Sequence, residues 1–472
     1  MHRLDVSDEE FRALSNQVSE FAARYLQQLP SMQTFPAEVS GGEVERLFDA
    51  ELPVEGIGGK AFQSLNDIAR TSRPNSPRFY GYVFGSGLPI GALGDFAASI
   101  VNPNVTAWRS SPSAVTIERT VVRWLAEAVG CRGFSGSLTG GGSSANLMAL
   151  CMAREEKSPA NELGSQGGIV YCSPEAHMSI AKAVRLLGLG QVAVHTIPTD
   201  ARFRMRTDLL RQTILKDLRE GHKPIAVVAT AGTVATGSID PIQEIASICR
   251  QHSLWLHVDG AYGALAAIAI PQKFTGLELA DSVSLDPHKW LYQPAGCGCM
   301  LYRDPAAAQR AFAYSEDYVR TLSTDPIEGF AFFEESIELS RPFRALKVWL
   351  SLRYFGLRAF RESIAEDLRL AQLLAAEIES QAELELLAPV ELSAVCFRCN
   401  DEGRDADELN RAVLKRVIQR GKVYISNATI RGVFALRACL VNHRSTEQDV
   451  RAITSEVLEA LRDVRRDDAA SK

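Results

Sequence analysis

The chain has 472 residues, of which 46% are hydrophobic and 23% are charged, a composition typical of a globular protein with a large core. Its 51 basic and 57 acidic residues give a net charge of -6, which provides no basic field to recruit a nucleic acid. The polar N-terminus does not resemble a secretory signal, and the longest apolar stretch, at 261–271, is too short to span a bilayer. We therefore expect no nucleic-acid partner and no membrane association.

The nine cysteines show no disulfide framework and predict reduced thiols in a cytoplasmic compartment. Cys297 and Cys299 would share one face of a strand. A metal site would need further ligands at matching spacing, and the sequence shows none. We predict small buried thiols and no metal.

Residues 7–28 have the spacing of an amphipathic helix with Ser7 as its N-cap, and a polar, Pro- and Gly-rich region follows to residue 89. Helical and strand patterns then alternate, beginning with a predicted helix at 113–130. Short apolar runs between helices predict a mostly parallel sheet covered on both faces, and hence an α/β fold. These runs are GIVYC, VAVHTI, PIAVVATA, LWLHVD, DSVSLD and GCMLY.

From about residue 341, helices and strands follow in an order that predicts a smaller α+β domain. We therefore expect an N-terminal helical and extended segment at 1–89 that packs at a dimer interface. A large domain at 90–340 and a small C-terminal domain at 341–472 complete the predicted organisation.

The segment LTGGGSSANL, residues 138–147, is a glycine-rich turn that opens a helix. Free backbone N–H groups and the helix dipole make such a turn attractive to phosphate. Gly140, Gly142 and Ala145 match the G-x-G-x-x-A fingerprint of a dinucleotide site. We expect the turn to follow helices rather than a strand, however, and that context weakens the match. A tight turn that only feeds a helix is the structural alternative.

Two charged residues follow buried strands further along the chain, where open parallel sheets bind their ligands. Asp259 ends the run LWLHVD, and a carboxylate at a buried strand end needs a partner. Its structural alternative is a capping or ion-paired aspartate. Lys289 follows DSVSLD, and a partly desolvated lysine can present a free amine to a carbonyl carbon. Its alternative is a stem packed on Trp290 with the head in solvent.

A phosphate turn, a strand-end carboxylate and a strand-end amine in one sheet together meet the requirements of pyridoxal 5'-phosphate. In this interpretation Lys289 forms a Schiff base with the cofactor aldehyde. Asp259 keeps the pyridine nitrogen protonated, so that the ring can accept electrons from a bond breaking at the substrate α-carbon.

Residues 70 to about 450 also resemble the pyridoxal-phosphate-dependent group II amino-acid decarboxylases, a family that includes the aromatic-L-amino-acid decarboxylases. The segments DPHKWL (286–291) and HVDGAYG (257–263) carry the resemblance, together with SSPSAVTIERTVVRWL and RPFRALKVWLSLRYFG. It implies a large domain of the aspartate-aminotransferase type (fold type I) and a homodimer with active sites at the subunit interface.

The resemblance assigns Gly142 and Ser143 to the cofactor phosphate, and His288 to the position preceding the Schiff-base lysine. It places His177, in SPEAHMSIAKA, over the cofactor ring and near the substrate carboxylate. For this histidine, a capping role at the start of a helix is the structural alternative.

Two tyrosines complete the assignments that follow from the resemblance. Tyr318, in AFAYSEDYVR, resembles the mobile-loop tyrosine that returns a proton to the α-carbon, although Tyr314 lies only four residues away. Tyr82, in FYGYVFGSG, resembles a residue that lines the substrate pocket.

The chain also departs from the family pattern. Ser144 replaces an acidic residue, and Val234 replaces a threonine that contacts the cofactor. Asp286, which we include among the cofactor-binding residues, stands where the animal enzymes have a phosphate-binding asparagine. Because a second carboxylate beside phosphate is unfavourable, we expect it to point elsewhere or to pair with a cation. Asn104 and Thr106 are more polar than a catechol pocket requires.

We therefore predict the decarboxylation of an L-amino acid to an amine and carbon dioxide. An aromatic substrate (tyrosine, DOPA, tryptophan or phenylalanine) is the first choice, and glutamate, aspartate and 2,4-diaminobutyrate stay open. One rival is a decarboxylation-dependent aldehyde synthase, against which the presence of Tyr318 argues. A nicotinamide-dependent oxidoreductase built on the glycine turn leaves Lys289 and Asp259 unexplained. A non-catalytic scaffold would not need those residues.

Overall fold

A computed structural model describes residues 4–36, 39–314 and 325–470, and its elements are numbered here in chain order. The helices are α1 (Asp8–Gln28), α2 (Gly41–Phe48), α3 (Ser64–Thr71), α4 (Pro89–Val101), α5 (Pro112–Ala128), α6 (Gly142–Lys157), α7 (Met178–Leu186), α8 (Thr207–Arg219), α9 (Ile242–Gln251), α10 (Pro287–Trp290), α11 (Pro305–Phe312), α12 (Ala345–Glu379), α13 (Ala406–Arg420) and α14 (Glu447–Ala470). The strands are β1 (Ser135–Thr139), β2 (Ile169–Cys172), β3 (Val194–Thr196), β4 (Pro224–Thr230), β5 (Trp255–Asp259), β6 (Ser282–Leu285), β7 (Gly298–Tyr302), β8 (Leu384–Leu386), β9 (Ala394–Cys399), β10 (Ser426–Ile430) and β11 (Val433–Cys439).

A seven-stranded sheet in the order β1-β7-β6-β5-β4-β2-β3 forms the centre of the larger part of the chain. Strands β2 to β6 pair in parallel, whereas β7 is antiparallel to both of its neighbours. Each of the six apolar runs forms one of the strands β2 to β7, so the predicted mostly parallel α/β sheet is confirmed.

Strand β1 was not predicted, because SGSLT is short and contains a single large apolar residue. It is buried by antiparallel pairing with β7, in which Leu138 lies opposite Cys299. Since β7 is also antiparallel to β6, β1 runs in the same direction as β6. The expectation that the glycine-rich turn follows only helices is therefore wrong: β1 ends at Thr139, immediately before the turn.

Helices cover both faces of this sheet, as its strongly apolar strands require. On one face, α5, α8, α9 and the first half of α12 contribute to one hydrophobic core. On the other face, α6, α7 and α11 contribute to a second core.

The smaller sheet, in the order β10-β11-β9-β8, is entirely antiparallel and packs with α13 and α14. Helix α12 reaches both parts of the molecule: Val348 and Ile364 join the large core, and Leu370 and Ile378 join the small one. Its helical conformation is interrupted at Gly356, where φ is 73°. Because one helix serves both cores, the domain boundaries at residues 90 and 341 stay predictions.

The amphipathic helix expected at 7–28 is confirmed as α1, and Ser7 caps it by accepting the Glu10 N–H at 3.1 Å. All nine cysteines are free, and burial raises the pKa of thiols such as Cys131 and Cys172 to about 12. Across 4–36, 39–314 and 325–470, no helix combines the length and apolar character needed to cross a membrane.

A buried ion pair joins α5 to the segment that precedes α12. Arg341 Nη2 lies 2.5 Å from Glu118 Oε1, and both side chains are almost inaccessible to solvent. Arg341 also donates to the carbonyl oxygens of Val105 and Leu138, while the Leu138 N–H donates to Glu118. The pair thus fixes β1, and with it the start of the glycine-rich turn.

The substitution Glu118→Leu removes the closer counter-charge of the buried Arg341 guanidinium and leaves it with Glu338, whose Oε2 lies 3.8 Å from Nε. We expect it to lower the free energy of unfolding by about 3–5 kcal/mol, read as a lower urea midpoint. The control Glu366→Gln breaks an exposed pair with Arg369 and should change stability by less than about 0.5 kcal/mol. An unchanged midpoint in Glu118→Leu would contradict the importance given to this pair.

Candidate active site

A cavity of about 580 Å³ opens at the carboxyl ends of the central strands. It collects residues that follow β1, β4, β5 and β6, because strands running in the same direction end at the same edge of the sheet. Tyr318 lies outside the described residues. The other predicted site residues all line the cavity: Tyr82, Gly142, Ser143, His177, Asp259, Asp286, His288 and Lys289.

The glycine-rich turn forms one wall of the cavity, and α6 begins within it at Gly142. The first N–H groups of a helix lack partners inside the helix, so this wall can bind an anion. The turn must also be narrow. A Cβ on Gly142 would lie 2.6 Å from the Ala261 Cβ and 3.1 Å from Asp286 Oδ2.

Asp259, the last residue of β5, is 6% exposed and accepts hydrogen bonds from three neutral donors. Asn146 Nδ2 donates to Oδ2 at 2.9 Å, whereas Ser284 Oγ and the Ala261 N–H donate to Oδ1 at 3.1 and 3.2 Å. These donors satisfy the carboxylate without cancelling its charge, which leaves it able to attract a cationic ligand.

The Lys289 amine lies inside the cavity, 2.9 Å from Asp286 Oδ2, and the side chain is 15% exposed. The alternative of a head group in solvent is therefore wrong. Asp286 does pair with a cation, as its unfavourable position beside phosphate suggested. Trp290 points away from solvent and stacks on Tyr262, with ring centroids 6.0 Å apart.

His288 lies between the glycine-rich turn and the Asp286 carboxylate. Its Nδ1 is 2.7 Å from the carbonyl oxygen of Cys297, and a carbonyl only accepts, so Nδ1 carries a proton. Its Nε2 lies 3.6 Å from Asp286 Oδ2. The ring is thus held in a fixed orientation beside the phosphate-binding wall.

His177 combines the two roles considered from the sequence. It is the N-cap of α7, because its Nδ1 accepts the Ser179 N–H at 3.2 Å, and it also lines the cavity. Burial lowers the pKa of His177. The nearby Asp259 carboxylate opposes this shift, the positive charge of Lys289 adds to it, and the net effect is a lowered pKa. A neutral imidazole therefore faces the cavity at pH 7.

Tyr82 stands at the mouth of the cavity with 54% of its surface exposed. Its φ of 64° is rare for a bulky residue, and such strain often marks a functional position. The Arg73 guanidinium donates to its hydroxyl at 3.0 Å, which lowers the pKa of Tyr82.

Arg437 is a cavity residue that the sequence reasoning missed. It lies in β11, is 3% exposed, and donates to the Ala235 carbonyl at 3.2 Å. Its Nη2 has no hydrogen-bond partner in the part of the chain described. The sequence signal that points to Arg437 is a single arginine within the apolar run FALRACLV, since a buried cation requires a partner or a ligand.

Asn104 and Thr106, considered as pocket residues from the sequence, are absent from the wall that the described residues form around this cavity. Asn104 Oδ1 accepts the Arg341 N–H at 3.0 Å. Thr106 is 9% exposed, and its carbonyl accepts the Phe332 N–H. Val234, by contrast, does line the cavity.

The residues present fit pyridoxal 5'-phosphate. The cavity supplies an amine for its aldehyde, a buried carboxylate for its ring nitrogen, and a helix N-terminus whose cradle a Cβ at Gly142 would fill. Thr230 Oγ1, Asp286 Oδ1 and Arg437 Nη2 are buried wall atoms without a partner among the residues described, as expected of a wall built for a polar ligand.

This combination of fold and site defines a pyridoxal-phosphate enzyme. The family model of the pyridoxal-dependent decarboxylase conserved domain matches residues 54–400. The chain therefore belongs to the pyridoxal-dependent decarboxylase family and is a pyridoxal-phosphate-dependent amino-acid decarboxylase. The nicotinamide-dependent alternative has no support.

Two curated relatives and one solved structure illustrate the similarity. An aromatic-L-amino-acid decarboxylase of Bacillus atrophaeus is 32% identical over 96% of each chain. A 4-hydroxyphenylacetaldehyde synthase of Rhodiola rosea is 31% identical over 92% of this chain and 91% of its own. The crystal structure of Oryza sativa TDC with PLP and tryptamine has a TM-score of 0.92 at 25% identity, covering 98% of this chain and 99% of that one.

The substitution Gly142→Ala should weaken cofactor binding, because the new methyl group must displace Ala261 or Asp286. Overpacking of this kind costs about 1–3 kcal/mol, which corresponds to a roughly 5- to 150-fold higher cofactor Kd. Fluorescence titration of the apoenzyme measures it. Gly56→Ala, where a Cβ meets nothing within 4 Å, is the control and should leave the Kd unchanged. Equal affinities in the two variants would contradict the narrow cradle.

Proposed function

We propose that this decarboxylase acts on an aromatic L-amino acid and releases the corresponding amine and carbon dioxide. The observation that carries the proposed site is the convergence of Lys289, Asp259 and the glycine-rich turn in one cavity. The aromatic choice is supported by the tyrosine and apolar residues at the cavity mouth, namely Tyr82 and Val83, and by the names of the relatives described above.

In this proposal, Lys289 holds the cofactor aldehyde, Asp259 faces the ring nitrogen, and Gly142, Ser143 and His288 hold the phosphate. When bound, pyridoxal 5'-phosphate supplies an electron sink for the bond that breaks between the α-carbon and the carboxylate.

The Asp259 carboxylate favours a protonated ring nitrogen, since its three hydrogen-bond donors are neutral and its charge is only slightly exposed. Asp286 orients the Lys289 amine through the 2.9 Å contact between them. This contact supports a role for Asp286 beside the lysine more than a direct contact with phosphate.

A second candidate substrate class is an acidic amino acid, and Arg437 is the observation that favours it. Its Nη2, which lacks a hydrogen-bond partner among the described residues, lies in the cavity wall and can donate to a carboxylate. That carboxylate is the α-carboxylate if the substrate is aromatic. It is the side-chain group if the substrate is glutamate or aspartate.

Tyr318 is proposed to return the proton to the α-carbon. Its presence in the sequence favours the simple decarboxylase over the aldehyde synthase, although Tyr318 itself lies outside the described residues. Tyr314, the last described residue before that gap, is 82% exposed.

Incubation of the enzyme with L-tyrosine, L-DOPA, L-tryptophan, L-phenylalanine, L-glutamate, L-aspartate and 2,4-diaminobutyrate should release carbon dioxide and amine from the aromatic members. Peroxide and ammonia, measured in the same samples, should stay at background. Turnover restricted to glutamate or aspartate would transfer the proposal to the acidic class. Peroxide equal to the carbon dioxide released would establish an aldehyde synthase instead.

In the same assay, Lys289→Ala should abolish both turnover and the yellow colour that borohydride bleaches, because no other lysine lines the cavity among the described residues. Lys273→Ala is the matched control: its amine bonds to the Glu391 carbonyl at 2.9 Å, outside the cavity wall, and activity should persist. Amine production by Lys289→Ala at the parental rate would contradict the assignment of Lys289 as the residue that holds the cofactor aldehyde.

We also propose a cytoplasmic homodimer. The free thiols support a reducing compartment. Leu93, Ile100 and Val101 of α4 are 63%, 58% and 70% exposed, and clustered apolar exposure is typical of a subunit interface. Light scattering should therefore report about twice the chain mass of 51.6 kDa. A monomeric mass at micromolar concentration would contradict the dimer.

A further inference from the structure

A row of hydrogen bonds runs behind the cavity, from β5 and β6 into α6. Trp255 Nε1 donates to Ser282 Oγ at 2.9 Å, and this hydroxyl lies 3.0 Å from His257 Nδ1. On the other side of the imidazole, His257 Nε2 lies 2.9 Å from Asn146 Oδ1. Trp255 is 4% exposed and the other three residues are at most 1% exposed, so none can exchange its partner for water.

The row branches at the Asn146 amide. Its Nδ2 donates to Asp259 Oδ2 at 2.9 Å and to Ser179 Oγ at 3.0 Å. Ser179 then contacts His177 Nδ1 twice, through Oγ at 2.8 Å and through its backbone N–H at 3.2 Å. A single amide therefore serves both the strand-end carboxylate and the cavity histidine.

The groups at the two ends of the row determine which atom donates and which accepts in every hydrogen bond between them. An indole N–H can only donate, so Ser282 accepts from Trp255 and uses its own proton for His257 Nδ1. At the other end a carboxylate only accepts, so the Asn146 atom facing Asp259 is its nitrogen. The Asn146 oxygen then faces His257, whose proton resides on Nε2.

The same reasoning extends to the cavity. Because Ser179 Oγ accepts from Asn146, its proton is available for His177 Nδ1, which already accepts the Ser179 N–H. Burial lowers the pKa of His257 to about 4, so at pH 7 it holds one proton, as the row requires. Buried networks of this kind are stable only when every member is satisfied.

We propose that Asn146, Ser179 and His257 are positioning residues that hold His177 as its Nε2–H tautomer and orient the Asp259 carboxylate through its Oδ2. This inference rests on the proposed function and deepens it. His177 presents a hydrogen-bond donor to the cavity, suited to an anionic group such as the substrate carboxylate. Asn146 couples that donor to the carboxylate that faces the cofactor.

Neutron crystallography of the deuterated holoenzyme tests the proposal directly. We expect a deuteron on His177 Nε2, none on Nδ1, and the two deuterons of the Asn146 amide directed at Asp259 and Ser179. A deuteron on His177 Nδ1, or an Asn146 oxygen facing Asp259, overturns the proposal. The wild-type protein suffices, so the test does not depend on whether a variant folds.

Two variants separate the branches in solution. Asn146→Leu removes a donor to a charged group and should raise the cofactor Kd by about 10- to 100-fold, with a fall in kcat. Ser179→Ala should leave the cofactor Kd unchanged while kcat/KM falls by about 2- to 10-fold. Ser179→Thr, which keeps the hydroxyl, should restore activity.

Ser173→Ala is the matched control, because Ser173 is 2% exposed and its hydroxyl has no partner within the described structure. Neither the cofactor Kd nor kcat/KM should change in Ser173→Ala. Equal loss of cofactor affinity in Asn146→Leu and Ser179→Ala, or failure of Ser179→Thr to restore activity, overturns the branched arrangement. Amine production by the wild type in these assays shows that such a failure concerns the network and not the proposed reaction.

Discussion

The burial of one carboxylate, that of Asp259, constrains the whole arrangement of the site. A charge at the end of an interior strand is tolerated only where donors from its surroundings satisfy it. Here those donors come from α6, from β6 and from the turn after β5, so three elements must meet at one point. None of the donors carries a charge, and the carboxylate therefore still attracts a cationic group from the cavity.

The order of strands explains how the remaining groups reach the same place. Because β7 reverses direction between β1 and β6, the glycine-rich turn after β1 and Lys289 after β6 emerge at one edge of the sheet. Asp286 holds the lysine amine there, and the buried pair of Glu118 and Arg341 holds β1. The site thus depends as much on the antiparallel strand β7, which lies between β1 and β6, as on the parallel strands.

Strand ends and unusual charges could be predicted from the sequence, since Asp259 and Lys289 each follow an apolar run. Strand β1 could not, because its burial comes from pairing with β7 and not from its own side chains. The network through Asn146 was also beyond reach, as its partners lie in separate elements and carry no local pattern. For His177, the sequence offers capping and site-lining as alternatives, whereas in the structure Nδ1 caps the helix and Nε2 stays available for the cavity.

The pairing of β1 with β7 also has a consequence for biosynthesis. Residues 135–139 leave the ribosome long before residues 298–302, so β1 cannot pair until β7 has been synthesised. The pairing must then close a loop of many residues, which has an entropic cost. We therefore expect the anion cradle to form late in folding. Vitamin B6 availability would then act on chains that are already assembled, prolonging their lifetime by mass action without guiding their earliest collapse.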